Sequence, residues 1–107
     1  MGDRRNVIVK NNNAGVGLYT HWSGSELKET VKTALKRHQR WDDDAYLARI
    51  IFCQMVKGQE SDETGFGITP GDSLCEASAW DITVDVAAQT VKPGTGKKAL
   101  SFSEFIK

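Results

Sequence analysis

The alternation of apolar and polar residues predicts a β-hairpin at the start of the chain. A short β-rich run at residues 7–9 is followed by Asn and Gly residues at 11–15, which tolerate positive φ and indicate a turn. Residues 16–22 then alternate as a second strand. One face of that strand carries Val16, Leu18, Thr20 and Trp22, and the other carries Tyr19 and His21.

A first helix is predicted after the hairpin. Ser23 followed three residues later by Glu26 is a capping-box signature, in which each residue bonds to the backbone N–H of the other. Apolar residues then recur at helical spacing, and the pattern extends to about Arg40. Basic residues four positions apart form a second stripe along the same helix, made of Lys28, Lys32, Lys36 and Arg40, with Arg37 beside it.

A second helix follows an acidic run at residues 42–44. An Asp in this run can cap the helix, and negative charge suits its N-terminal dipole. Residues 45–56 are apolar almost all round, which predicts a largely buried helix with Arg49 and Gln54 on its least buried side. Cys53 lies inside this segment and is interpreted as a packing residue.

The second half of the chain is predicted to be mainly strands, at residues 65–69, 82–86 and 90–92. Residues 93–98 read as a flexible connector, and Ser101 to Glu104 repeats the capping-box pattern at the start of a short final helix.

The order of elements is therefore ββααββ(β), with a short C-terminal helix. Segregated strands and helices predict an α+β fold, in which a small antiparallel sheet is packed on one face by a helix pair. The N-terminal hairpin and the C-terminal strands would make up that sheet. At 107 residues the chain is predicted to be a single domain, 1–107.

Composition narrows the class of protein. Fourteen basic and fourteen acidic residues give zero formal charge, which argues against binding nucleic acid by bulk charge. No apolar run approaches the ~20 residues of a membrane span, and the N-terminus has no apolar stretch typical of a signal peptide. We therefore expect a soluble, cytoplasmic protein that does not engage membranes.

Metal and cofactor chemistry is not indicated by the residue pattern. The four candidate zinc ligands, His21, His38, Cys53 and Cys75, lack the spacing that lets two ligands share one turn. The two cysteines are too few for a disulfide scaffold. The alternative of a divalent ion at the triple Asp of residues 42–44 stays open, although helix capping explains that run equally.

Four segments of this chain resemble the core of a group of small proteins encoded in phages, prophages and bacterial genomes. The pattern of that group reads roughly YTHWxGxxL, RWxDxxYLARIIF, TGxGI and VDxxxxTV. Here the corresponding segments are residues 19–27, 40–52, 64–68 and 84–91. The resemblance covers about residues 18–91. It implies a phage or prophage setting, hence the cytoplasm of a bacterial host, and assigns no catalytic residues.

The corner between the predicted hairpin and the first helix is the candidate ligand site. Free N–H groups at a helix start attract anions, and hydroxyl, imidazole and indole groups nearby could hold a phosphate and stack a base. The candidate ligand-binding residues are Tyr19, His21, Trp22, Ser23, Gly24, Ser25, Arg40, Trp41, Tyr46 and Arg49. In the alternative interpretation, Ser23 and Glu26 only cap the helix, and Trp22 and Trp41 fill the core.

Three functions are compatible with these features. The first is a non-catalytic binding protein that antagonises host defence by sequestering a nucleotide-like ligand. The second is a protein inhibitor or assembly factor that binds a host protein through its basic stripe or exposed aromatics. The third is a small hydrolase or transferase using His21, for which no nucleophile or orienting partner is evident. A free sheet edge would also permit a homodimer.

Overall fold

A mixed sheet forms one layer of the fold. The computed structural model describes residues 5–12, 14–20, 24–70, 81–94 and 97–107. Within these segments the sheet has six strands in the order β3-β2-β1-β4-β5-β6. The strands are β1 (Arg5–Asn11), β2 (Ala14–Thr20), β3 (Phe66–Pro70), β4 (Ile82–Asp85), β5 (Thr90–Lys92) and β6 (Leu100–Ser101).

The N-terminal hairpin has the predicted pairing. β1 and β2 run antiparallel with Asn11 opposite Ala14, and Asn12 takes a φ of 61° in the tight turn between them. Asn is among the residues that adopt this left-handed conformation at low cost. β3 then pairs antiparallel with β2.

The α+β class is confirmed, but one strand pair differs from the antiparallel sheet that we expected. β4 lies parallel to β1, with Val7 opposite Ile82 and Val9 opposite Val84. The chain passes through β2, both helices and β3 between these strands, so it returns to β1 by a long crossover, the kind of connection that parallel pairs need. The N–H of Asn6 donates to Asp81 Oδ2 (2.9 Å) and the N–H of Asp81 donates to Asn6 Oδ1 (2.7 Å), which holds the start of this pair together.

The first helix is shorter than the apolar pattern predicts. A 3₁₀ turn at Gly24–Glu26 precedes α1 (Leu27–Leu35), whose N-cap is Glu26 and has no side-chain capping bond. The predicted end near Arg40 is wrong, because the Trp41 indole Nε1–H donates to the Leu35 carbonyl at 3.1 Å. That bond occupies a carbonyl at the helix end, and the backbone turns away through a positive φ at His38.

The second helix, α2 (Asp44–Met55), is capped as predicted. Asp43 is its N-cap, and its carboxylate accepts from the Tyr46 N–H at 3.2 Å. The buried residues of α2 are Leu47, Ala48, Ile50, Ile51 and Met55. The prediction that Cys53 packs in the core is wrong. Its side chain is exposed, because helical spacing places it on the same outer stripe as Tyr46 and Arg49.

The core lies between the sheet and the helices. Val7, Leu18 and Val84 contribute the sheet side, and α1 and α2 cover them. The predicted capping box of Ser101 and Glu104 is confirmed and opens α3 (Phe102–Phe105), which adds Phe102 and Phe105 to the same core. The flexibility of the 93–98 connector stays a prediction.

Candidate functional site on the outer face of the second helix

Three of the residues singled out from the sequence meet at the start of α2. The Arg40 guanidinium carbon lies 4.5 Å from the centroid of the Tyr46 ring, which is a cation–π arrangement. Arg40, Tyr46 and Arg49 line a pocket of about 320 Å³ together with Gln39 and Ile50. We call these five residues the arginine pocket.

Local structure explains why these side chains converge. The Asp43 cap starts α2 so that Tyr46 falls in its first turn, and Tyr46 is 49% exposed. Arg49 follows three positions later on the same face of the helix. Arg40 reaches the ring from the link before α2, where its backbone has a φ of 57°.

The two guanidinium groups are available for an anion. Neither Arg40 nor Arg49 forms an ion pair with another residue of the described segments. The position of the Arg40 guanidinium over the Tyr46 ring leaves its N–H groups able to donate to a ligand. An oxyanion is the ligand that such donors bind most strongly.

An apolar groove runs along α2 beside the arginine pocket. It has a volume of about 440 Å³ and lies between the helix and strands β2 and β3. Its lining residues, which define the apolar groove hereafter, are Gly15, Val16, Leu18, Asp44, Ala45, Ala48, Arg49, Phe52 and Ile68. Arg49 lines both cavities, so they form one surface, which we call the α2 surface.

Sequence analysis named Arg49 but no other residue of the apolar groove as a ligand-binding residue, and the most exposed large apolar side chain in the groove belongs to Ile68. It is 59% exposed on β3, the outermost described strand on its side of the sheet. Strand alternation correctly places Ile68 on the same sheet face as Leu18, its partner in the register. Strand alternation does not tell how far the helices extend over the sheet. The groove between α2 and β3 leaves the Ile68 side chain exposed to solvent.

A third cavity lies at the other end of the sheet, near the predicted anion corner. It has a volume of about 380 Å³, and Arg5, Ser25 and Lys28 bring two cations and a hydroxyl to its wall. Asp81 also lines it, and its carboxylate already accepts from the Asn6 N–H. We call this cavity the N-terminal cleft.

The predicted corner is therefore only partly described. Ser25 lines the N-terminal cleft, and Gly24 begins the 3₁₀ turn beside it. His21, Trp22 and Ser23 lie outside the described residues, as does Cys75. The proposal that an imidazole and an indole contact a ligand there stays a prediction.

Tyr19 and Trp41 do not join the arginine pocket. Tyr19 is on the sheet face opposite Leu18, away from the helices, and its ring lies so close to Gly67 that a Cβ there would overlap it. Trp41 is half-buried against the core. Its ring makes an edge contact with Phe102 at 5.2 Å, and its carbonyl accepts from Gln89 Nε2 at 3.3 Å.

Two further observations concern the described segments alone. They contain no group of three or more His, Cys, Asp or Glu residues placed to hold a metal ion. None of the helices in them has the length and apolarity needed to cross a bilayer.

Comparisons of the chain with protein-family models, with curated proteins and with solved structures found no match.

Proposed function

We propose that this protein is a non-catalytic binding module that engages a partner protein through its α2 surface. The observation that carries the proposal is the combination of an exposed apolar groove, an exposed tyrosine and two arginines that form no ion pair within the described segments. Tyr and Arg are enriched among residues that dominate binding energy, and an open apolar patch beside them is typical of an interaction site.

The shape of the α2 surface supports the same interpretation. The groove wall along α2 contains Ala45 and Ala48, whose small side chains let a partner approach the helix closely. Ile68 on the opposite side would be buried by that partner. Full burial of one such side chain contributes about 1.5–3 kcal/mol, which is enough to make it a main anchor.

Peptide selection tests this proposal while the partner is still unidentified. Random peptides displayed on yeast are selected on the wild-type protein, and retained clones are measured against Ile68→Asp. We expect affinity to fall at least tenfold, about 1.4 kcal/mol, because a carboxylate replaces the apolar anchor. Lys36→Glu, a charge change at the exposed C-cap of α1, is the matched control and should leave affinity unchanged. Failure to retain any clone, or equal binding to Ile68→Asp, contradicts the proposal.

A nucleotide-like ligand in the N-terminal cleft is the second candidate function. Its support is the pair of cations, Arg5 and Lys28, that line one cleft with the Ser25 hydroxyl. A thermal-shift panel of cyclic and linear nucleotides tests it, with Lys28→Gln expected to abolish the shift and Lys32→Gln to preserve it. Absence of a shift with every nucleotide at saturation would rule this candidate out.

The remaining functional expectations stay predictions from the sequence. They are the phage or prophage origin, the role against host defence, the cytoplasmic location, the homodimer, and the alternative of a small hydrolase or transferase using His21.

A further inference from the structure

We infer that the arginine pocket binds one carboxylate, carried by an acidic side chain of the partner whose neighbouring apolar side chains occupy the apolar groove. This inference rests on the proposed function and specifies the chemistry of the partner. It turns the α2 surface into a site that recognises an acidic residue next to bulky apolar ones.

The guanidinium over the Tyr46 ring is the first support. A cation–π contact uses none of the guanidinium N–H groups in a conventional hydrogen bond, and the fork spacing of these groups matches the two oxygens of a carboxylate. The 4.5 Å separation between Arg40 and the Tyr46 ring holds the guanidinium in place before any ligand arrives. Preorganised donors lose less conformational entropy on binding.

The shared position of Arg49 is the second support. It lines the arginine pocket and also the apolar groove, so an anion bound between the two arginines lies beside the apolar contacts. A partner segment can therefore fill both cavities only if an acidic and an apolar side chain are close together. The expected partner segment therefore carries an acidic residue close to a bulky apolar residue.

The backbone of the α1–α2 link is the third support. His38 and Arg40 have φ values of 55° and 57°, and L-residues other than Asn, Asp and His seldom adopt this conformation, so Arg40 is the unusual one. The Trp41 indole bond to Leu35 and the Asp43 N–H bond to the Arg40 carbonyl (3.2 Å) fix the link on both sides. Strained residues held in this way cluster at binding sites, where the strain positions a side chain.

Local charge favours a carboxylate over a phosphate. Asp43 is the N-cap of α2, Asp44 lines the adjoining apolar groove, and Asp42 precedes them in the chain, so the α2 surface also carries negative charge. A phosphate monoester carries nearly two negative charges at neutral pH, so its attraction to the arginines and its repulsion by the aspartates both roughly double, whereas the cost of removing it from water rises more steeply than its charge. The two arginines thus suit a single charge.

One selected peptide in three versions tests the inference, with Glu, Gln or phosphoserine at its acidic position. We expect the Glu version to bind the wild-type protein at least tenfold more tightly than the Gln version, and more tightly than the phosphoserine version. This preference should shrink to less than threefold in Arg40→Gln and in Arg49→Gln, and persist in the control Arg37→Gln. Equal binding of the Glu and Gln versions, or preference for phosphoserine, overturns the inference while leaving the proposed function intact.

A titration that needs no peptide keeps the inference testable if selection fails. The side-chain Nε–Hε signals of Arg40, Arg49 and Arg37 are followed by NMR during addition of sodium acetate at constant ionic strength, with sodium phosphate as the comparison. We expect saturable shifts for Arg40 and Arg49 with acetate and a linear, small response for Arg37. The same response at all three arginines overturns the carboxylate site.

Discussion

The backbone of Arg40 links a local conformational cost to the candidate site. Its φ of 57° places it in the left-handed region, where an L-residue with a Cβ loses roughly 1–2 kcal/mol relative to the right-handed form. Glycine has no such penalty. Arg40, which completes the arginine pocket, therefore has a backbone conformation that glycine would adopt at lower energetic cost.

Replacing Arg40 by glycine should separate stability from binding. We expect Arg40→Gly to leave the free energy of unfolding unchanged or to raise it by up to about 1 kcal/mol, because relief of strain offsets the lost cation–π contact. The preference for the Glu peptide over the Gln peptide should be lost in the same variant. Urea denaturation checks the stability. Arg37→Gly, at a residue without positive φ, is the control and should cost about 0.5–1 kcal/mol. Equal destabilisation by both changes contradicts the strain argument.

Thr83 is a second residue with a local energetic cost, because its hydroxyl is buried without a hydrogen bond to any of the described residues. Its side chain is 8% exposed on β4, and its Oγ1 has no hydrogen-bond partner in the described structure. A buried hydroxyl that bonds to nothing costs about 1–3 kcal/mol relative to a satisfied one. Valine has the same shape and no polar atom.

Thr83→Val should therefore stabilise the fold. We expect the free energy of unfolding to rise by about 1 kcal/mol, since the hydroxyl is removed and a β-branched residue is kept in the strand. Thr90→Val, at a half-buried position on β5, is the comparison and should stay within about 0.5 kcal/mol of wild type. A loss of stability in Thr83→Val would show that the hydroxyl is bonded in solution.

At the scale of elements, local signals in the sequence predict where a helix starts better than where it ends or which strands pair. The Asp cap of α2 and the Ser101 box of α3 involve residues three positions apart, so the sequence contains the whole interaction. The end of α1 depends on the Trp41 indole reaching back six residues, and no local pattern encodes that. Which strand lies beside β1 likewise depends on contacts across the whole chain.

Part of the candidate site follows from local relations in the sequence, and part depends on how the whole chain packs. Arg40, Tyr46 and Arg49 lie together because they flank one helix start, which is a local relation that the sequence contains. Tyr19 lies apart from them. Strand alternation places Tyr19 on the sheet face opposite Leu18. Alternation does not tell which face the helices cover, and only the structure shows that Tyr19 lies on the other face from α2. The openness of Ile68 depends on how far the helix layer extends, which alternation does not report.

The α3 capping box makes a pH-dependent prediction at this scale. The Ser101 N–H and then the Ser101 hydroxyl donate to the Glu104 carboxylate, which lowers the pKa of Glu104 below its ordinary value of 4.5. A lowered folded-state pKa stabilises the fold above pH 4.5, and this contribution is lost as pH falls through the lower value.

Ser101→Ala tests the box directly. It removes the hydroxyl that donates to the Glu104 carboxylate and keeps the backbone N–H donor at position 101, so the Glu104 pKa should rise part of the way toward its ordinary value and acid sensitivity below pH 4.5 should weaken. An NMR titration of the Glu104 carboxyl carbon measures this. Ser103→Ala, on the exposed side of α3, serves as the matched variant. An unchanged Glu104 pKa in Ser101→Ala would mean that the box does not form in solution.

At the scale of the whole molecule, the C-terminal segment completes the core that carries the candidate site. Phe102 is fully buried, and its ring contacts Trp41, whose indole closes α1 and whose carbonyl accepts from Gln89. The same Trp41 borders Arg40 in the link that aims the guanidinium at Tyr46. Packing near the end of the chain is thereby coupled to the geometry of the arginine pocket.

Phe102→Ala should accordingly lower the free energy of unfolding of the whole domain, which should still unfold in a single transition. Truncating a buried Phe costs about 3–5 kcal/mol, a large share of the about 5–15 kcal/mol that stabilises a domain. Because Phe102 belongs to the same core cluster as β1, α1 and α2, we expect tryptophan fluorescence and far-ultraviolet circular dichroism to report one coincident transition at lower urea. Ser103→Ala should leave that midpoint unchanged. Separate transitions, with the C-terminal segment released first and peptide binding retained, would show that the α2 surface stands without it.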